Sequence, residues 1–189
     1  MSHLGIKKPI IRADEHISKP KIGELLNRIE EGERAVFISD AGTPCISDPG
    51  AELVLGAHER EITVTAIPGP SAVTTALMLS GFYAQKFVFL GYLPRKTGAA
   101  KKILEQFLNS TMTMVLFEAP QRVQKTLKVL YEVLGERRAV LCREMTKIHE
   151  EIIRGNLSTL SSSLLTHKGE FTIVVEGMRK SSQFEENLC

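Results

Sequence analysis

Short apolar runs recur along this chain, each followed by a few turn-forming residues and then a helix-like stretch. That alternation constrains the fold more than any other feature. Strands separated by helices run parallel in one sheet, and the helices cover its faces. In the first part, A-V-F-I-S (35–39) and I-T-V-T-A-I (62–67) read as strands, the second with three β-branched residues in its first four. Helices are predicted over 20–31, with Pro20 in the first turn and Gly32 as the stop, over 51–60, and over 71–80 ending at Gly81. The fold class is therefore α/β, with a parallel-sheet N-terminal domain over residues 1–84. Later strands, over 86–92, 111–118, 138–142, 150–155 and 170–177, lie closer together. They alternate with helices over 98–109, 120–135 and 156–165, so a mixed sheet is predicted for a C-terminal domain over 85–178. A polar tail, 179–189, follows, and fraying is expected from Met178 on.

Composition narrows the class. The chain has 189 residues, 43% hydrophobic and 24% charged, which suits one large or two small globular domains and not a disordered, collagen-like or coiled-coil chain. No apolar run approaches the roughly 20 residues of a membrane span, and no apolar leader is visible, so no membrane association is expected. Cys45, Cys142 and Cys189 are odd in number and far apart, which argues against a disulfide framework or a zinc site and for a reducing cytoplasm. His16, His58 and His149 have no partner at metal-ligand spacing, so no metal is expected. The net charge of +2 hides an asymmetry: residues 1–81 hold 8 Lys/Arg against 11 Asp/Glu, and residues 82–154 hold 13 against 7. A basic middle segment suits an anionic partner, and it equally suits a solvated helix face.

Four loops carry the chemistry. D-A-G-T-P-C-I-S-D-P-G (40–50) packs two Gly, two Pro and two Asp into eleven residues at a predicted strand end, where ligands of open α/β sheets sit. I-P-G-P-S-A (67–72) again joins a strand end to a helix start, with Ser71 as the expected N-cap. It is neither a P-loop nor G-x-G-x-x-G, and both segments also suit ordinary turn-rich connectors. F-E-A-P-Q-R (117–122) and C-R-E-M-T-K-I-H-E-E (142–151) place charged groups at strand ends. Glu118 closes an apolar strand and needs a partner; Arg122, Arg143, Glu144 and Lys147 are the candidates, either in function or in structural ion pairs.

Taken together, S-D-A-G-T-P-C-I-S-D-P-G, I-P-G-P-S-A, F-L-G-Y-L-P-R-K, L-F-E-A-P-Q-R, R-E-M-T-K-I-H-E-E with R-G, and G-E-F-T-I-V-V-E-G occur in this order over residues 3–177. The chain resembles the small-subunit ribosomal RNA cytidine ribose 2′-O-methyltransferases of the tetrapyrrole methylase-like, class III superfamily. The resemblance implies two α/β domains, an S-adenosylmethionine site in the cleft between them, a homodimer, and ribosomal RNA or the small ribosomal subunit as partner. It assigns Gly42, Thr43, Pro44, Ile46, Ser71, Ala72, Phe117, Ala119 and Gly169 to the cofactor, with Glu118 and Glu170 beside them. Methyl transfer from a sulfonium is an in-line displacement that rests on alignment, and a ribose hydroxyl gains from a positioned base. Glu118, Glu144 and Lys147 are the candidates for that base. Arg95, Lys96, Lys101 and Lys102, following the L-P loop, with Arg122 and Arg143, are the expected RNA contacts. The family's opening strand with its P-I-G-N loop, and its E-D-T-R segment, are not found here, so the N-terminal sheet is expected to lack a central strand. Two other readings stand beside this one: a tetrapyrrole methyltransferase of cobalamin or sirohaem type, and a truncated, non-catalytic RNA- or nucleotide-binding remnant.

Overall fold

The computed structural model describes residue 5 and residues 7–163 and 168–179, and it divides into two units, Met1–Pro70 and Ser71–Cys189. The first unit is built on two helices, α1 (Lys19–Glu30) and α2 (Ala51–Glu59). Pro20 sits in the first turn of α1, where its missing N–H costs nothing. Ile22 and Leu26, four apart and so on one face, bury themselves against Ala57 of α2, with Leu53 and Ile62 alongside. The helices meet closely at Gly56, where a Cβ would stand 2.8 Å from Leu26 Cδ1. Arg60 pins the end of α2 to α1: its Nη1 donates to Asn27 Oδ1 at 2.6 Å and lies 3.0 Å from Glu30 Oε2.

The runs 35–39 and 62–67, predicted as strands, carry no ladder among the described residues. Val36 is 82% exposed and Ile67 91%. β-Branched residues favour extended backbone, but a strand persists only beside a neighbour that accepts its N–H and C=O groups. The parallel sheet expected of the N-terminal half is therefore not formed among the described residues.

The second unit supplies the mixed sheet. Its strands are β1 (Phe87–Tyr92), β2 (Thr113–Glu118), β3 (Arg138–Arg143), β4 (Glu151–Asn156) and β5 (Phe171–Val175), in the order β1-β2-β5-β3-β4. β1 and β2 are parallel; every other pairing is antiparallel. The helices are α3 (Ala72–Ser80), α4 (Thr97–Glu105), α5 (Val123–Leu134) and α6 (Leu157–Ser162). Strand periodicity sorts the side chains. Met114, Leu116, Leu141 and Ile173 pack with Leu104, Leu127, Leu130 and Leu157 of the α4–α6 layer. Val115, Val140, Cys142 and Val174 point the other way, onto Val73, Ala76 and Leu77 of α3. The sheet is thus covered on both faces, and each fully buried aliphatic side chain contributes about 1.5–3 kcal/mol.

Two expectations shift here. Helix α3, read from sequence as the end of the N-terminal domain, packs on β2, β3 and β5 and falls in the second unit. Its apolar face finds cover on the sheet and in no linker. The chain is not frayed at Met178: its N–H donates to Ser110 O at 2.7 Å, and Gly177 is so close to Thr111 that a Cβ would stand 2.1 Å from its carbonyl oxygen. The tail beyond Arg179, with Cys189, lies outside the described residues; Cys45 and Cys142 are free thiols. Burial pushes the Cys142 thiol up to about 11, which leaves it protonated and unreactive at neutral pH.

Candidate functional site

The carboxyl ends of the parallel pair β1 and β2 lie at one edge of the sheet, where an open α/β sheet binds ligands. The register extends that edge across three more strands. Glu118 stands opposite Phe171, Phe171 opposite Arg143, and Arg143 opposite Glu151. Segments singled out more than twenty residues apart in sequence are thereby brought to one row.

Glu118 is buried, with no exposed side-chain surface. Its Oε1 accepts the Ala119 N–H at 2.8 Å and lies 3.3 Å from Arg122 Nε; its Oε2 accepts the Thr126 hydroxyl at 2.5 Å. Arg122, in turn, donates from Nη2 to Leu93 O at 2.7 Å. Both carboxylate oxygens are engaged, so the geometry makes Glu118 the clamp that ties β2 to α5 and, through Arg122, to the L-P-R loop. Of the four partners proposed for it, only Arg122 reaches it. Beside this clamp opens a cleft of about 330 Å³, lined by Leu93, Pro94, Arg95, Thr97, Arg122 and Lys125 among others. Its lining carries Arg95, Arg122 and Lys125 and no Asp or Glu, so the cleft is cationic. Lys96 and Lys102 are exposed, and Lys101 is tied to Glu132 at 2.9 Å.

Glu144, Lys147 and Glu170 form a second network. Glu144 Oε1 accepts the Glu170 N–H at 2.8 Å and Lys147 Nζ at 3.1 Å, and Lys147 Nζ also reaches Glu170 Oε2 at 2.9 Å. The Glu170 N–H, and then Lys147, hold the Glu144 carboxyl below its ordinary range. The Glu170 carboxylate, and then Glu144, raise the Lys147 ammonium. Gly169 adopts φ +93°, and a Cβ there would fall 2.7 Å from Glu144 Cγ, so glycine is what lets the carboxylate fold over this turn. Arg143 is held by protein groups, donating from Nε to Lys168 O at 2.9 Å and lying 3.4 Å from Glu151 Oε2.

Phe117 packs edge-on against Phe89 at 4.8 Å and Tyr92 at 5.9 Å between ring centroids. Tyr92 escaped the sequence reading. The available signal was the Gly91 that precedes it, since glycine inside a strand marks a bulge.

In the first unit the two turn-rich loops meet. The Thr43 hydroxyl donates to Pro70 O at 2.9 Å, across 27 residues. Ser39 Oγ donates to Ala41 O at 3.2 Å, and the Cys45 N–H to Pro49 O at 3.3 Å. Gly42 adopts φ +75° with nothing within 4 Å of a Cβ position, while a Cβ on Gly50 would strike Phe37 and Cys45. Pro44 is half-buried and Ile46 exposed. The loop therefore presents open backbone at Gly42 and an exposed apolar side chain at Ile46. Ser71 occupies the N-cap of α3 but makes no side-chain cap, contrary to expectation; its carbonyl accepts the Thr75 N–H. Ala72 follows as the first, exposed residue of α3. Among the described residues no three His, Cys, Asp or Glu side chains gather as metal ligands would, and no helix is long and apolar enough to cross a membrane.

A model of the family Tetrapyrrole (Corrin/Porphyrin) Methylases matches residues 12–161. Ribosomal RNA small subunit methyltransferase I of Thermotoga maritima is 41% identical over 174 residues, 91% of this chain and 78% of that protein. The proteins of the same name from Haemophilus influenzae and Mycobacterium tuberculosis are 40% and 42% identical. This chain spans 68% and 60% of their lengths, with 98% and 89% of itself aligned. Among solved structures, the methyltransferase CobJ superposes with a TM-score of 0.63 at 18% identity, covering 88% of this chain and 75% of that one. Uroporphyrin-III C-methyltransferase of Thermus thermophilus, complexed with S-adenosylhomocysteine, gives 0.55 at 19%, covering 82% and 72%. These two likenesses establish the α/β fold of tetrapyrrole methylase type. The chain belongs to the tetrapyrrole methylase family and, within it, to the ribosomal RNA small subunit methyltransferase I group.

Proposed function

We propose that this chain is an S-adenosylmethionine-dependent methyltransferase that modifies the ribose 2′-hydroxyl of a cytidine in small-subunit ribosomal RNA. The observation that carries the reading is the roughly 40% identity, along almost the whole chain, to relatives named for ribosomal RNA methylation. Gly42, Thr43, Pro44 and Ile46, with Ser71 and Ala72, hold the cofactor, as do Phe117, Ala119 and Gly169 at the sheet edge of the second unit. S-adenosylhomocysteine in the Thermus structure of the same fold supports that choice of cofactor. When bound, S-adenosylmethionine supplies an electrophilic methyl group on a sulfonium. The chain's own part is alignment.

Of the three candidate bases, Glu118 is sealed by two hydrogen bonds and an ion pair, and Lys147 is a firmly charged ammonium. Glu144 keeps one oxygen, Oε2, without a partner among the described residues, and we assign that atom to accept the hydrogen bond of the ribose hydroxyl. Its depressed pKa makes it an orienting acceptor more than a strong base. Arg95, Arg122 and Lys125, which line the cationic cleft, meet RNA phosphates, and Lys96, Lys101, Lys102 and Arg143 add further phosphate contacts. The protein works in the cytoplasm, where its substrate is, and as a homodimer, which sedimentation tests.

The test is methyl transfer from labelled S-adenosylmethionine to small-subunit RNA, free or assembled, with the label mapped to a cytidine 2′-oxygen. The double variant Arg95→Ala, Lys96→Ala should weaken RNA binding and flatten its salt dependence by about 0.7 per lost contact on single strands. Absence of transfer with both RNA forms overturns the reading. The remnant reading is favoured by one observation, the unpaired runs 35–39 and 62–67; retained RNA binding without cofactor binding by this chain would establish it.

A further inference from the structure

We propose that Tyr92, carried by a β-bulge onto Phe117 at the carboxyl end of the parallel strand pair, is the platform on which a base of the single-stranded RNA substrate stacks. The inference rests on the RNA reading above and goes beyond it by naming a recognition residue. β1 pairs regularly with β2 at Phe87–Thr113, Val88–Met114 and Phe89–Val115. Continued regularly, that register would set Gly91 opposite Phe117. Tyr92 stands there instead, so one extra residue has entered β1, and Gly91 takes φ +58°. Side chains alternate along a strand, so without the extra residue Tyr92 would point away from Phe89. With it, Phe89, Tyr92 and Phe117 form one aromatic cluster. Bulges concentrate next to active sites, where they re-aim a side chain.

The re-aimed ring is not thereby buried. Tyr92 is 56% exposed while Phe89 and Phe117 behind it are half-buried. The bulge gives up regular pairing and leaves a ring more than half exposed at the sheet edge. Tyr131, by contrast, lies on the solvent side of α5, away from these rings. An exposed ring braced by other rings is what an unstacked base requires, and single-stranded RNA is recognised in this way. The charge beside it fits the same partner. Arg95 follows three residues later, at most about 11 Å along the chain, at the mouth of the cationic cleft. A ring for the base and cations for the phosphates therefore lie within reach of one or two nucleotides.

The chain has no tryptophan, so Tyr92→Trp introduces a single reporter. Its emission should be quenched by a single-stranded RNA oligonucleotide of about ten nucleotides and much less by the same oligonucleotide with abasic positions. Tyr92→Leu should weaken binding of the intact oligonucleotide about tenfold while leaving the salt slope unchanged; Tyr92→Phe and Tyr131→Leu should bind as the parent does. Equal quenching by intact and abasic RNA, or parental affinity of Tyr92→Leu, overturns the proposal while leaving the RNA reading intact. Quenching by S-adenosylmethionine alone overturns it too, by assigning the ring to the cofactor's adenine. If the unsubstituted chain binds no RNA at low salt, the RNA reading itself fails and this proposal falls with it. Should Tyr92→Leu fold poorly, the quenching comparison decides.

Discussion

T-M-V-L-F-E in the second unit and I-T-V-T-A-I in the first are equally apolar, and the second is the richer in β-branched residues, yet their fates differ completely. The first is β2, sheltered on both faces, with Met114, Val115 and Leu116 fully buried. The second has no ladder, and Ile67 at its end is almost bare. Side-chain preference sets an extended backbone in both, and a hydrogen-bonded neighbour makes only one of them a strand. The second unit accordingly holds two large core clusters, whereas the first holds Ile22, Leu26 and Ala57 with a few flanking residues.

That contrast can be broken directly. Leu116→Ala, which opens a cavity in the middle of the sheet, should cost about 2–5 kcal/mol. Ile67→Ala, with almost no burial to lose, should change stability by no more than about 0.5 kcal/mol. Urea unfolding of both variants checks this, and comparable costs would mean that the 62–67 run is buried after all.

A smaller effect sharpens the contrast from the side of function. Gly42→Val adds bulk where nothing stands near the backbone, in a left-handed conformation that valine rarely adopts. S-adenosylmethionine binding by calorimetry should weaken at least tenfold, about 1.4 kcal/mol, with the urea midpoint of the second unit unmoved. Unchanged affinity in a folded variant would remove the 40–50 loop from the cofactor site.

The smallest effect concerns pH. Glu144 has its folded pKa depressed, so its contribution is present above the ordinary glutamate value of about 4.3 and is lost as pH falls through the lower folded value. Lys147 has its folded pKa raised, so its contribution is present below about 10.4 and is lost as pH rises through the higher folded value. Between those limits the network is intact. Glu144→Gln should narrow its gap in melting temperature to the parent on the acid side, and a gap constant with pH would sever the network from stability.

Much of this organisation is legible in the chain. Pro20 and Gly32 bracket α1, Gly135 ends α5, and the five later apolar runs all became strands because each finds a neighbour. The runs 35–39 and 62–67 misled because propensity is local and pairing is not. At the site, the need of Glu118 for a cation was readable from its place after an apolar strand, and Arg122 lies four residues on. The Thr43–Pro70 bond and the Glu144–Lys147–Glu170 network span 27 and 26 residues and have no local signature. The bulge that aims Tyr92 is a property of register between two strands, which one strand's sequence does not encode.

The strand order has a consequence for synthesis. β5 lies between β2 and β3, yet residues 171–175 are made after both of them. Until those five residues leave the ribosome, β2 and β3 each keep an open edge where β5 belongs, and the apolar layers on either side lack their central rib. The β3–β4 hairpin and the β1–β2 pair with α4 and α5 can form earlier, as local assemblies; the sheet cannot close. A stall or premature stop shortly before residue 171 would therefore release a chain with two sticky strand edges, a natural client for chaperones or a seed for aggregation.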